Sequence, residues 1–180
     1  LFLCRFPDFP YIIYFELNMD INDFDIEKYL DLTGYTTEER LARRKGAKST
    51  QEFFTPYSIV KRMCDKISDD DWSDPNKTFL EPAAGNGQFV LYIIYNRIKH
   101  GVSWEEALKS LYSVELMQDN VDECKERVLN LLSDLSAAGI INYNNKDLAI
   151  EIIDRNFIVH DFFTWNFNEW REMTEEEIKL

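Results

Sequence analysis

The chain has 180 residues, with 20 Lys and Arg against 33 Asp and Glu and a formal net charge of −13. That balance excludes a protein that holds nucleic acid by bulk positive charge, since the whole-chain field repels DNA. A hydrophobic content of 45%, with 13 Phe, 9 Tyr and 4 Trp, excludes a disordered chain and suffices for the core of one domain.

No apolar run reaches the length of a membrane span. Cys4, Cys64 and Cys124 are widely separated and form no Cys-x-x-Cys pair, which argues for reduced thiols in a cytoplasmic compartment and against a structural zinc site. Cys64 and Cys124 read as small core residues on helices. His100 and His160 supply no ligand cluster or triad, so no metal is expected.

Residues 1–18 are crowded with aromatics, begin without methionine and lack both a helical period and the layout of a secretory signal. They read as a non-native or disordered leader, with a natural start at Met19. Residues 19–50 form a helical lead-in around Ile26–Leu32 followed by the basic run Arg40, Arg43, Arg44, Lys45 and Lys48. The run is a local exception to the acidic balance; it reads as a solvated segment or a phosphate contact. Thr55-Pro56 opens a helix, as Ser/Thr-Pro before an apolar-periodic run does, with Ile59, Val60, Met63 and Ile67 expected on one face. Asp69–Asn76 reads as a polar, turn-rich loop.

Thr78–Val90 follows: a short strand, the glycine turn Gly85-Asn86-Gly87, and an apolar run Phe89, Val90, Ile93, Ile94, Ile98 that reads as a helix buried over a wide face. Glycines there can take φ > 0 and let a ligand approach the backbone. A strand, a tight turn and a helix N-terminus make a nucleotide-type pocket, and Glu81 decides which nucleotide. A pyrophosphate about 4 Å from that carboxylate would be repelled by roughly 4 kcal/mol at an effective dielectric near 20. Val90 also stands where the dinucleotide fingerprint wants its third small residue. A cationic, zwitterionic nucleoside such as S-adenosylmethionine (AdoMet) suits the position better.

Trp104–Ser110 reads as an extra short helix, and Leu111–Glu115 as a second strand whose terminal Glu115 can accept two ribose hydroxyls; the alternative is a solvated strand end. Met117–Leu135 reads as an amphipathic helix, with Val121, Cys124, Val128, Leu131 and Leu135 at steps of three and four. A loop over residues 139–146, a helix over 147–155 and a third strand over 156–160 complete a βαβαβ order, which implies parallel strands. Asp161, following that strand, reads equally as a ligand contact or as the N-cap of a turn.

Four stretches in this order, Glu52–Met63, Thr78–Val90, Leu111–Leu116 and Phe157–Phe163, resemble motifs of the DNA adenine-N6 methyltransferases found in restriction–modification systems and many phages. The resemblance covers about two thirds of the chain. It implies a Rossmann-like α/β fold with a parallel sheet, AdoMet as cofactor, DNA as substrate, and a cytoplasmic site of action in a bacterial or phage-infected cell. It also implies cofactor contacts. Phe54, Thr55 and Pro56 would cap AdoMet, Glu81, Ala83, Gly85 and Gly87 would wrap its methionine part, Glu115 would take the ribose, and Asp161 and Phe162 would hold the adenine. On this reading residues 51–165 are the cofactor domain and 166–180 a polar, aromatic C-terminal segment.

The family's catalytic Asn/Asp-Pro-Pro-Tyr/Phe is not found, so no catalytic residue is assigned. Asp8-Phe-Pro-Tyr11 is one position away, but it sits in the leader and is set aside. The chain stops about where the catalytic strand would begin, so only the cofactor half of the sheet, about three strands, is expected. Its first strand would then be an open edge, covered by a dimer mate, a partner chain or a C-terminal segment, for which Trp165–Met173 is the best candidate. The alternatives to a DNA methyltransferase are a catalytically silent, phage-encoded AdoMet-binding or partner-docking protein and, more weakly, methylation of a protein glutamine or a free nucleoside.

Overall fold

The computed structural model describes residues 18–30 and 55–179. The expected leader up to residue 17, the basic run Arg40–Lys48 and Phe54 lie outside them. A three-stranded parallel sheet runs in the order β1-β2-β3, with β1 over Phe79–Glu81, β2 over Leu111–Glu115 and β3 over Phe157–Val159. Its register pairs Phe79 with Leu111 and Ser113 with Phe157. The fold is therefore mixed α/β, a short parallel sheet flanked by helices.

Eight α-helices are described: α1 (Glu27–Leu30), α2 (Tyr57–Cys64), α3 (Asp69–Ser73), α4 (Gln88–Lys99), α5 (Trp104–Lys109), α6 (Gln118–Ala137), α7 (Lys146–Asn156) and α8 (Glu175–Ile178). Helix α4 is the centre of the molecule: every residue from Val90 to Ile98 is buried, which is why its sequence is apolar almost all round. Helices α6 and α7 show the stripes that their three-and-four spacing demands, with Val121, Cys124, Val128, Leu131 and Leu135 inside and Ala149, Ile152 and Ile153 inside. Side chains of Leu111, Ser113 and Phe157 share one buried face of the sheet. By the two-residue period of a strand, Leu80, Tyr112, Val114 and Ile158 share the other.

Three expectations need correction. The inward stripe of α2 is Val60 and Cys64, whereas Ile59 and Met63 are exposed; four residues apart, 60 and 64 superpose on the side that meets α4, turning 59 and 63 outward. Residues 69–73 are helical rather than loop, because Ser68 caps the Asp71 N–H and three aspartates occupy the positive first turn. Trp165–Met173 does not cover the free edge. It forms a small hairpin, β4 (Trp165–Asn166) with β5 (Arg171–Glu172), and Trp170 reaches Tyr112 at 4.7 Å between ring centroids. The hairpin thus lies against the middle strand's second face and leaves Leu80 of β1 45% exposed.

A buried guanidinium ties the far end of this layer together. Arg97, in the last turn of α4 and 0% exposed, donates from Nη1 to the carbonyls of Trp72 (2.8 Å) and Asp74 (2.6 Å) and from Nη2 to Ser110 Oγ at 3.3 Å. It also lies 5.3 Å over the Phe79 ring, which itself stacks on Trp72. One cation therefore joins α3, α4, β1 and the start of β2. Asn156 does the same one strand further on, its Nδ2 donating to the carbonyls of Leu108 and Leu111 at 3.1 Å each. Arg97→Met keeps the stem and removes the donors, leaving buried carbonyls unpaired; a loss of about 3 kcal/mol is expected, read by urea denaturation followed on tryptophan emission.

Candidate functional site

The glycine turn sits at the C-terminal ends of β1 and β2 and is strapped from two sides. Gly85 has φ 51° and Gly87 φ 95°, both in the left-handed region that favours glycine. Gly87 is the N-cap of α4, and a Cβ placed on it would meet Cys124 Sγ of α6 at 2.5 Å. From the β2 side, Glu115 Oε2 accepts the Gly85 N–H at 2.8 Å, while its Oε1 accepts the Met117 N–H at 3.0 Å. Glu115 is thus a built part of the turn and not a solvated strand end. Glu81 Oε1 accepts the Ala83 N–H at 3.2 Å. The expected cluster Glu81, Ala83, Gly85, Gly87 and Glu115 is brought together.

Sequence reasoning missed the α6 side. Asn86, fully buried, donates from Nδ2 to Glu123 Oε1 at 2.9 Å, and Arg127 Nη1 donates to the Asn86 carbonyl at 2.6 Å while its Nη2 reaches the carbonyl of Tyr29. The asparagine between two glycines was a usable signal. Glu123 and Arg127, two charges among many on the polar side of a helix, carried none.

The field at the turn is negative. Burial pushes the Glu81 carboxyl above its ordinary value of 4.5, the Ala83 N–H pulls it back, and the charge of Glu115 raises it further. Burial likewise raises Glu123, against the pull of Arg127. Two of the turn's backbone donors, at Ala83 and Gly85, are already taken by carboxylates. A phosphate would meet like charge and occupied donors, whereas a cation would relieve the mutual repulsion.

Asp161 and Phe162 follow the strand end beside Glu115. His160 N–H donates to the Glu115 carbonyl at 2.9 Å, drawing the end of β3 alongside that of β2, so Asp161 and Phe162 enter the same rim. Asp161 caps a 3₁₀ turn over Phe162–Thr164, its Oδ1 accepting the Phe163 N–H at 2.9 Å; the cap reading of this residue is realised. Phe162 packs on Phe167 at 4.7 Å and meets Phe163 edge-on at 5.6 Å; Phe163 is the exposed ring of the pair, at 82%.

Pro56 is the N-cap of α2, the ordinary proline helix start. The Tyr57 ring meets Tyr92 at 6.0 Å, and Asp69, beyond α2, reaches His100 at 3.4 Å. The start of α2 thus packs beside Tyr92, and the chain beyond α2 reaches the C-terminal end of α4.

A cavity of about 520 Å³ lies elsewhere, on the outer side of α4, lined in part by Tyr57, Lys61, Asp65, Tyr92, Asn96 and His100. At its wall Lys61 pairs with Asp65 at 2.7 Å, and the His100 ring approaches Asp69 at 3.4 Å. Among the described residues no group of His, Cys, Asp and Glu could hold a metal ion, and no helix is long and apolar enough to cross a membrane. No protein-family model, no curated protein and no solved structure matches this chain.

Two outcomes test the turn. Gly87→Ala should destabilise the fold by roughly 2–4 kcal/mol through left-handed strain and collision with Cys124. Adding Cys124→Ala should recover the collision part only, as a double-mutant cycle in urea would read. For Glu81 the raised pKa means that the native state holds its proton to higher pH than the unfolded chain does. Stability therefore falls as pH rises from 4.5 through the raised value and stays lower above it. Glu81→Gln should be more stable than the parent at pH 7, with the difference gone below pH 4 in thermal melts.

Proposed function

We propose that this chain binds AdoMet and is the cofactor half of a Rossmann-like, AdoMet-dependent DNA adenine-N6 methyltransferase. The observation that carries the reading is the convergence of Glu81 and Glu115, from adjacent parallel strands, on a left-handed glycine turn, where they occupy the Ala83 and Gly85 N–H groups. Such a site discriminates against nucleotides that present phosphate at the turn and favours a nucleoside bearing ammonium and sulfonium charge. Glu115 retains lone pairs for ribose hydroxyls after accepting two N–H groups. Asp161 and the Phe162–Phe163 pair stand at the neighbouring strand end, where a purine would be sandwiched. The sulfonium methyl is the electrophile that AdoMet supplies to a transferase.

A second reading is a catalytically silent AdoMet-binding or partner-docking protein. It is favoured by the lack of an Asn/Asp-Pro-Pro-Tyr/Phe motif in these 180 residues and by the net charge of −13, which opposes a DNA substrate.

Calorimetric titration separates cofactor classes. AdoMet and its demethylated product should bind, and NAD and ATP should not; heat with the latter two alone overturns the proposal. Glu115→Ala should weaken AdoMet binding by about ten-fold or more, the worth of hydrogen bonds to a charged acceptor. Tritium transfer from AdoMet to adenine-containing DNA then decides between the enzyme and the silent binder.

A further inference from the structure

The first residue of α4 carries an anomaly that the contacts above leave unexplained. Gln88 is 3% exposed, and both polar atoms of its side chain, Oε1 and Nε2, are buried with no hydrogen-bond partner among the described residues. Buried carboxamides are normally satisfied, because an orphaned donor and an orphaned acceptor each retain the cost of leaving water. An apolar side chain of equal length would serve a purely structural position better.

The helix geometry says where this amide lies. Residues 88, 91, 92 and 95 fall on one side of α4 by its 3.6-residue period, and Leu91, Tyr92 and Tyr95 are all buried there, with Tyr92 against Tyr57 of α2. Gln88 is one turn nearer the N-terminus than Tyr92. Helical side chains lean toward the N-terminus, so the carboxamide of Gln88, the residue directly after the Gly87 N-cap, leans toward the Gly85–Gly87 turn. It is an unspent donor and an unspent acceptor beside a turn whose Ala83 and Gly85 N–H groups are already committed to carboxylates.

We propose that Gln88 is a ligand-reading residue, whose carboxamide recognises the amino-acid head group of the cofactor: Nε2–H donates to its carboxylate and Oε1 accepts from its ammonium. A zwitterion carries this complementary pair, and a carboxamide is the neutral side chain that answers both halves without adding to the negative field of Glu81 and Glu115. The assignment rests on the AdoMet reading of the site.

The test uses the full chain, the Gln88→Met variant, and two probes, AdoMet and 5′-methylthioadenosine, which keeps the adenosine and sulfur but lacks the amino-acid group. Met fills the same volume and asks for no partner, so Gln88→Met should raise the melting temperature by roughly 2–4 °C, weaken AdoMet about ten-fold and leave methylthioadenosine binding unchanged. A variant that melts lower than the parent or fails to fold, or one that binds AdoMet as the parent does, overturns the assignment, since the amide is then structural. Equal weakening of both probes overturns it too, because the effect is then not at the head group. If the parent itself binds neither probe, the AdoMet reading falls and this one with it; parental binding with an unaffected variant removes only the role of Gln88.

Discussion

The bond from the Gly85 N–H to Glu115 fixes the geometry on which the rest of the site depends. It joins a turn that leaves β1 to the last residue of β2, so two strand ends move as one unit. Arg127 and Glu123 of α6 hold the next residue of the same turn from the opposite side. Gly87 closes against Cys124 at a distance no side chain could tolerate. The loop is thereby over-determined, which is how a left-handed segment persists in a folded chain. The arrangement also concentrates negative charge where a helix N-terminus ordinarily welcomes an anion.

Much of the scaffold was legible from residue order. Strand β2 falls on Leu111–Glu115, α6 follows the spacing of Val121, Cys124, Val128, Leu131 and Leu135, and the parallel order follows from alternating strands and helices. Each of these is a periodic signal longer than one turn or one strand, so local pattern and tertiary packing agree. The misreadings are short elements. Helix α3 has five residues, and its aspartates look like turn formers until Trp72 is seen stacked on Phe79. For α2, an apolar count could not tell Val60 from its neighbour Ile59, because only the contact with α4 selects the side. The hairpin at the C-terminus was read as a cover for the first strand, but Trp170 finds its aromatic partner on the second.

At the site itself, the residues of the turn and strand ends were easier to find than those that hold them. Glu81, Gly85, Gly87 and Glu115 stand at strand ends and in a glycine turn, positions with a chemical signature. Arg127 and Arg97 act through backbone carbonyls 23 to 98 residues away, and a guanidinium bonded to main chain leaves no trace in composition or spacing. Gln88 was equally silent, since its anomaly is a missing partner, and only coordinates expose that.

The brevity of β1 has a consequence for how the molecule behaves in a crowd. Phe79 turns its amide toward Ser110 of the neighbouring strand, so of three residues only Leu80 aims its amide and carbonyl outward. One residue is too small a template to recruit a stranger's chain into an extending ladder, even with an apolar side chain beside it. A partner that does settle on this margin must bring most of its grip from elsewhere, so adhesion there is selective by default, and fibrillar growth starves for want of rungs.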